Sequence, residues 1–102
     1  MVIPGGGAWV AAEAGQVLAV LVLSPGWVDQ LYVEPERCGE GIGRRLLDHA
    51  KGLATGPLEL WTFQVNAAAR RFYARNGFVE VELTDGTANE EREPDVRLRW
   101  EP

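Results

Sequence analysis

Apolar and polar positions recur along this chain with two different periods, and the periods mark its elements. Ala8–Ala14 and Gln16–Leu23 are apolar or β-prone and meet at Ala14-Gly15, which predicts a hairpin. Within the second run, Val17–Leu23 (VLAVLVL) has no polar face, the pattern of a strand buried on both sides. Ser24-Pro25-Gly26 turns the chain, and Trp27–Val33 forms a third strand that ends ahead of Pro35. Leu46, Leu47, Ala50, Leu53 and Ala54 fall at helical spacing, so Gly43–Ala54 reads as an amphipathic helix closed by Gly56-Pro57. Leu58–Thr62 is a fourth strand. Asn66 can cap a short helix over Ala67–Asn76, which Gly77 ends in a left-handed conformation. Phe78–Leu83 is a fifth strand followed by the Asp85-Gly86 turn. The last strand, Val96–Trp100, sets Val96, Leu98 and Trp100 on one face and Arg97 and Arg99 on the other. The order β-β-β-α-β-α-β-β implies an α/β or α+β fold around one mixed sheet, with Trp9, Leu18, Val20, Leu60, Phe72 and Phe78 in its core.

Composition narrows the function. The chain has 102 residues, 15 acidic against 10 basic, for a net charge of −5. One domain is expected at that length. No apolar run approaches the roughly 20 residues of a membrane span, and Met1–Gly7 lacks the positive charge of a signal peptide. A single cysteine excludes an internal disulfide, and with one histidine it argues against a zinc site or any other metal. Net acidity argues against nucleic acid as a partner. These readings describe a small soluble protein with a cytoplasmic location and no membrane partner. The charge is unevenly spread. Arg37, Arg44, Arg45, Lys51, Arg70, Arg71 and Arg75 populate the middle, whereas Glu80, Glu82, Asp85, Glu90, Glu91, Glu93 and Asp95 crowd the end. Two solvated faces would give this pattern, and so would a middle that handles an anion and an end that attracts a cation.

Gly39, Gly41 and Gly43 stand between the third strand and the start of the first helix. Glycines there let a ligand approach the backbone, and helix N–H groups with the helix dipole favour phosphate. No Lys-Ser/Thr follows as in a Walker loop, and GxGxG is not the dinucleotide fingerprint. A glycine-rich connector without a ligand fits the same residues. Cys38 heads the turn but has no base beside it, and His49, two turns down the helix, reads as a solvated residue.

A second block changes the reading. Asn66-Ala67-Ala68-Ala69-Arg70-Arg71-Phe72-Tyr73-Ala74-Arg75-Asn76-Gly77-Phe78, taken with Val33-Glu34-Pro35 and Gly39-Glu40-Gly41-Ile42-Gly43-Arg44-Arg45-Leu46-Leu47, resembles the GNAT family of acetyl-CoA-dependent N-acetyltransferases. The resemblance runs from about Trp9 to the end, with both blocks in order and correctly separated. It implies a mixed, mostly antiparallel sheet of six strands with two helices, splayed at its central strands. It also implies one GNAT-like domain over residues 1–102, shortened at the amino terminus. The turn Cys38–Arg44 (Cys38, Gly39, Gly41, Ile42, Gly43, Arg44) would hold the cofactor's pyrophosphate. Leu31, Tyr32 and Val33 would pair with the pantetheine arm. Asn66 would bond the pantetheine, although a helix cap explains it equally well.

Tyr73 matches the family's general acid, with packing beside Phe72 as its plain alternative. The amide of Val33 matches a donor to the oxyanion formed as an amine attacks the thioester. No general base is identifiable, and Asp29 and Glu13 are carboxylates near the expected cleft. Glu90, Glu91 and Asp95 are candidates to attract a cationic amine, against a solvated loop. Two residues depart from the pattern: Cys38 stands where Gln or Arg is usual, and Glu40 where a basic residue is common. Met1–Gly7 cannot supply the strand and helices that usually wall the acceptor pocket, since a mean helix alone takes about 11–12 residues. The apolar surface left uncovered predicts a homodimer. The implied activity is acetyl transfer from acetyl-CoA to a small-molecule or protein amine by direct attack. The alternatives are a CoA-binding module without transfer to a small amine and a non-catalytic interaction domain.

Overall fold

Eight elements follow one another in a computed structural model that describes residues 7–35 and 41–102. They are β1 (Gly7–Glu13), β2 (Gln16–Ser24), β3 (Trp27–Val33), α1 (Ile42–Leu53), β4 (Leu58–Phe63), α2 (Ala67–Arg75), β5 (Val79–Leu83) and β6 (Asp95–Trp100). The fold is mixed α+β, with six mostly antiparallel strands and two helices. The order and type of every element match the sequence reading, and the boundaries move by a residue or two. The chain divides into two compact units, Met1–Gly56 and Pro57–Pro102.

The first unit is an antiparallel meander, β1-β2-β3, with α1 against β2 and β3. Ala14 and Gly15 both take positive φ (51° and 79°), which matches the right-handed twist of the hairpin they join. Register puts Ala11, Ala19 and Val33 in one row and Trp9, Leu21 and Leu31 in the next. Ala19, Leu21, Leu47 and Ala50 are buried. Val10, Val20 and Tyr32 form a row on the opposite face, where Val20 is half-buried and Val10 and Tyr32 are exposed. The expectation of a strand buried on both faces therefore needs correction. Val17 is 48% exposed, and within that run Leu18, Ala19 and Leu21 are buried while Val20, Val22 and Leu23 are half-buried. Trp9 is likewise half-buried rather than core: its ring meets the edge of the exposed His49 imidazole with centroids 5.1 Å apart.

The second unit pairs β4 with β6 and β6 with β5, all antiparallel. Leu60 faces Leu98 across the ladder, and both are buried, as are Leu58, Val96, Tyr73 and Phe78. Each such Leu contributes about 1.5–3 kcal/mol by leaving water. Phe72, expected in the core, is half-buried beside Tyr73. The other face of this ladder carries Glu59, Trp61, Arg97 and Arg99, where Arg97 pairs with Glu59 and with Glu82 (3.0 Å).

Candidate active site

The amino end of α1 is built by Gly41. Its φ of 81° lies in the left-handed region that a side chain disfavours, while a Cβ there would meet nothing within 4 Å. Conformation, not crowding, requires the glycine. The carbonyl of Gly41 accepts from the Arg45 amide at 3.0 Å and starts the helix. Among the described residues no side chain caps this end, and no acidic residue occupies the first turn. A helix start of that kind presents unsatisfied N–H groups and positive partial charge to an anion. Ile42 and Gly43 are buried, whereas Arg44 is exposed and makes a loose 3.9 Å contact with Asp48. Cys38 and Gly39, and the departure at Glu40, lie outside the described residues. On β3, Leu31 and Val33 are half-buried, and the exposed Tyr32 donates its hydroxyl proton to Glu34 (3.2 Å). Asp29 is exposed and accepts from Ser24 (3.1 Å).

The sequence reading did not anticipate a hollow of about 320 Å³ in this unit, lined by Ala11, Ala12, Glu13, Leu18, Ile42, Arg45 and Leu46. Its lining includes Ala11 and Ala12, between which the strand register shifts, an irregularity that no residue pattern announces.

In the second unit, α2 carries both Asn66 and Tyr73. The Asn66 side-chain oxygen accepts from the Ala69 amide at 3.1 Å, so the cap is real. A cap uses only that oxygen and leaves the Nδ2 donors for other work, so the two readings of Asn66 are compatible. At the other end, the Phe78 amide donates to Tyr73 O (3.0 Å) and the Gly77 amide to Ala74 O (3.2 Å). This pair of bonds is the Schellman closure, with Gly77 at φ 89°. The Gly-Phe that ends the motif thus has a local purpose: Gly77 reverses the chain, and Phe78 returns its ring to Tyr73 at 5.6 Å. Phe72 flanks the phenol on another side at 5.3 Å. Burial raises the Tyr73 hydroxyl to about 12.

A family model described as an acetyltransferase (GNAT) domain matches residues 4–80 of the chain. This protein belongs to the GNAT family. The peptidyl-lysine N-acetyltransferase YjaB of Salmonella typhimurium is 34% identical over 71 residues, covering 69% of this chain and 48% of the relative. The GNAT chain thus spans about half the length of that curated relative. Among solved structures, a nourseothricin acetyltransferase superposes with a TM-score of 0.84 at 29% identity, covering 96% of this chain and 66% of that one. A putative streptothricin acetyltransferase from Bacillus anthracis, solved with acetyl coenzyme A, gives 0.84 at 22% identity over 98% and 64% of the two chains. The last likeness shows a shared fold.

The acidic segment of this GNAT chain is more organised than a solvated loop. Thr84 and Asn89 (3.2 Å) each donate to one carboxylate oxygen of Asp95, so Asp95 ties the loop's stem together rather than facing outward alone. Gln64 fastens the same stem, its side-chain nitrogen donating to the carbonyls of Thr84 (2.8 Å) and Asp95 (3.0 Å). Glu90 and Glu91 stay exposed. Sequence reasoning also missed a brace: Arg70 clasps Glu80 through two 2.8 Å bonds, which hold that carboxyl below its usual range. A separation of ten residues between helix and strand matches no periodicity, so nothing in the pattern marks the pair. Among the described residues, no group of three or more His, Cys, Asp or Glu side chains is placed to hold a metal. No helix of the described residues is long and apolar enough to cross a membrane.

Proposed function

We propose that this GNAT chain is an N-acetyltransferase that uses acetyl-CoA to acetylate a primary amine by direct attack within a ternary complex. The observation that carries the reading is Tyr73, the acid position of the second motif. It is a buried phenol on a doubly secured helix, its hydroxyl raised by burial to about 12. Bound acetyl-CoA would supply an activated thioester and a diphosphate. The α1 start suits the diphosphate: free of acidic residues in its first turn and entered through a left-handed Gly41. The backbone at Gly41, Ile42, Gly43 and Arg44, with Cys38 and Gly39, would hold that group. Leu31, Tyr32 and Val33 would align the pantetheine arm by backbone pairing, and Asn66 Nδ2 would donate to it.

In the chemical step, the Val33 amide would donate to the carbonyl oxygen as negative charge develops there. Tyr73 would deliver its proton to the departing sulfur. A phenol near 12 is a weak acid, and its transfer becomes favourable only as C–S cleavage makes the sulfur basic. The incoming amine must be neutral, and a water-mediated base suffices to deprotonate it. Exposed Glu90 and Glu91 would attract its cationic form from solution. The peptidyl-lysine in the name of the Salmonella relative presents such an amine.

Calorimetric titration with acetyl-CoA, followed by thiol release over a panel of amines, tests the reading. Binding with release supports it. Binding without release from any amine supports a CoA-holding module, and absence of binding contradicts both. We further take the chain to act in the cytoplasm as a homodimer. In support, Trp61, Phe63 and Val79 leave 44%, 37% and 65% of their surface exposed on one face of the β4-β6-β5 ladder. A monomer in sedimentation at micromolar concentration would contradict the dimer.

A further inference from the structure

Helix α2 spans nine residues, short for a stable helix alone, and Tyr73 is its only buried side chain. Little apolar packing therefore sets its rotation and tilt. The Asn66 cap and the Gly77 closure fix its ends locally but join it to nothing distant in sequence. Arg70 makes the distant connection. Its Nε and Nη2 meet the two carboxylate oxygens of Glu80 on β5, each at 2.8 Å, and its Nη1 reaches the Gln64 carbonyl at 3.0 Å. All three guanidinium nitrogens are engaged, so the planar fork fixes direction as well as distance. Gln64, in turn, donates its backbone N–H to Pro94 O at 2.9 Å. Arg70 lies three residues before Tyr73, about one helical turn.

We infer that Arg70 is a positioning residue for Tyr73: its clasp on Glu80 and on the Gln64 carbonyl sets the orientation in which α2 presents the phenol to the reacting thioester. The inference rests on the acid role proposed for Tyr73. A misplacement of an ångström at the reacting groups is enough to slow a reaction about 100-fold, so a brace on the acid's own helix has leverage on kcat. The unit contains its own control. Arg97 pairs with two carboxylates, Glu59 and Glu82, with similar side-chain exposure (27% against 31% for Arg70), but it braces strands and not α2.

The test compares Arg70→Met, Arg70→Lys and Arg97→Met, each in the wild-type and the Tyr73→Phe backgrounds. Thiol release and melting temperature are the measured quantities. Arg70→Met is expected to lower kcat about 10-fold or more while the KM for the amine changes less than about twofold. Arg70→Lys keeps the charge but not the fork and falls between. Arg97→Met is expected to lower the melting temperature with kcat intact. In the Tyr73→Phe background, Arg70→Met should cost less than about twofold, the non-additivity of residues that act through one another. Full multiplication of the two effects, or equal responses of the Arg70 and Arg97 variants, overturns the inference.

A readout independent of turnover is fluorine NMR of protein labelled with fluorotyrosine, which carries one signal each from Tyr32 and Tyr73. The Tyr73 signal should move or broaden in Arg70→Met and stay in place in Arg97→Met. An unmoved signal overturns the inference even if the protein transfers no acetyl group. A moved signal with a wild-type rate in Tyr73→Phe instead locates the failure in the acid assignment.

Discussion

The Phe78 amide donates to the Tyr73 carbonyl at 3.0 Å, while the rings of the same two residues meet edge to face at 5.6 Å. One residue therefore both terminates α2 and walls the phenol that the second motif places there. The contact between C″ and C3 of a helix is a common companion of the Schellman closure. Here it joins a folding signal to a candidate catalytic group, since whatever disturbs the turn disturbs the packing of Tyr73.

Gly77→Ala should be destabilising. The residue sits at φ 89°, and a Cβ would come within 3.2 Å of Trp100 Cδ1. The left-handed backbone alone costs about 1–2 kcal/mol for an L-residue. Urea unfolding should show a loss of at least that size, because the indole must also give way. An unchanged midpoint would mean that the turn relaxes to a different closure.

Tyr73 should make stability fall in alkali. Its folded value of about 12 lies above its ordinary value of 10.0. The unfolded chain therefore releases this proton first, and stability is lost as pH rises from about 10 towards 12. Two units correspond to about 2–3 kcal/mol as an upper scale. The stability difference between wild type and Tyr73→Phe, followed by denaturant titration across that window, isolates the effect from other alkaline groups. For the same reason the rate profile should lack a falling limb from Tyr73 below about pH 11. Only the rise from deprotonation of the acceptor amine should appear.

Asn66 variants separate cap from ligand. Asn66→Asp keeps an oxygen for the Ala69 amide but lacks the Nδ2 donors, so melting should hold while acetyl-CoA affinity drops about 2–13-fold, the value of one hydrogen bond. Asn66→Ala should lose that affinity and about 1 kcal/mol of stability as well. If Asn66→Asp binds acetyl-CoA as tightly as wild type, Asn66 is a cap and nothing more.

The parts of the molecule that were legible in the sequence are those set by local rules. The turn at Ala14-Gly15, the Asn66 cap and the Gly77 closure each rest on a few adjacent residues, and each stands where it was expected. Burial was less legible. Val17, Val20 and Trp9 belong to runs that look uniformly apolar, yet coverage depends on which face α1 occupies, a property of the assembled unit. The roles of charged residues were least legible. Arg70, Glu80 and Asp95 sat among the residues read as solvated or as candidate amine contacts, and Gln64 carried no reading. Their partners lie 6 to 31 positions away, across helix, strand and loop, and only the folded chain pairs them. At the candidate site, the motif spacing pointed to Asn66 and Tyr73, while the clasp of Arg70 on Glu80 left no trace in the pattern.

The central claim is most directly tested by single-turnover thiol release from acetyl-CoA at saturating amine, wild type against Tyr73→Phe. Removing one hydroxyl leaves the ring contacts with Phe72 and Phe78 in place. The account predicts release slowed about 100-fold or more, with acetyl-CoA affinity within about twofold of wild type. Release at the wild-type rate would contradict it.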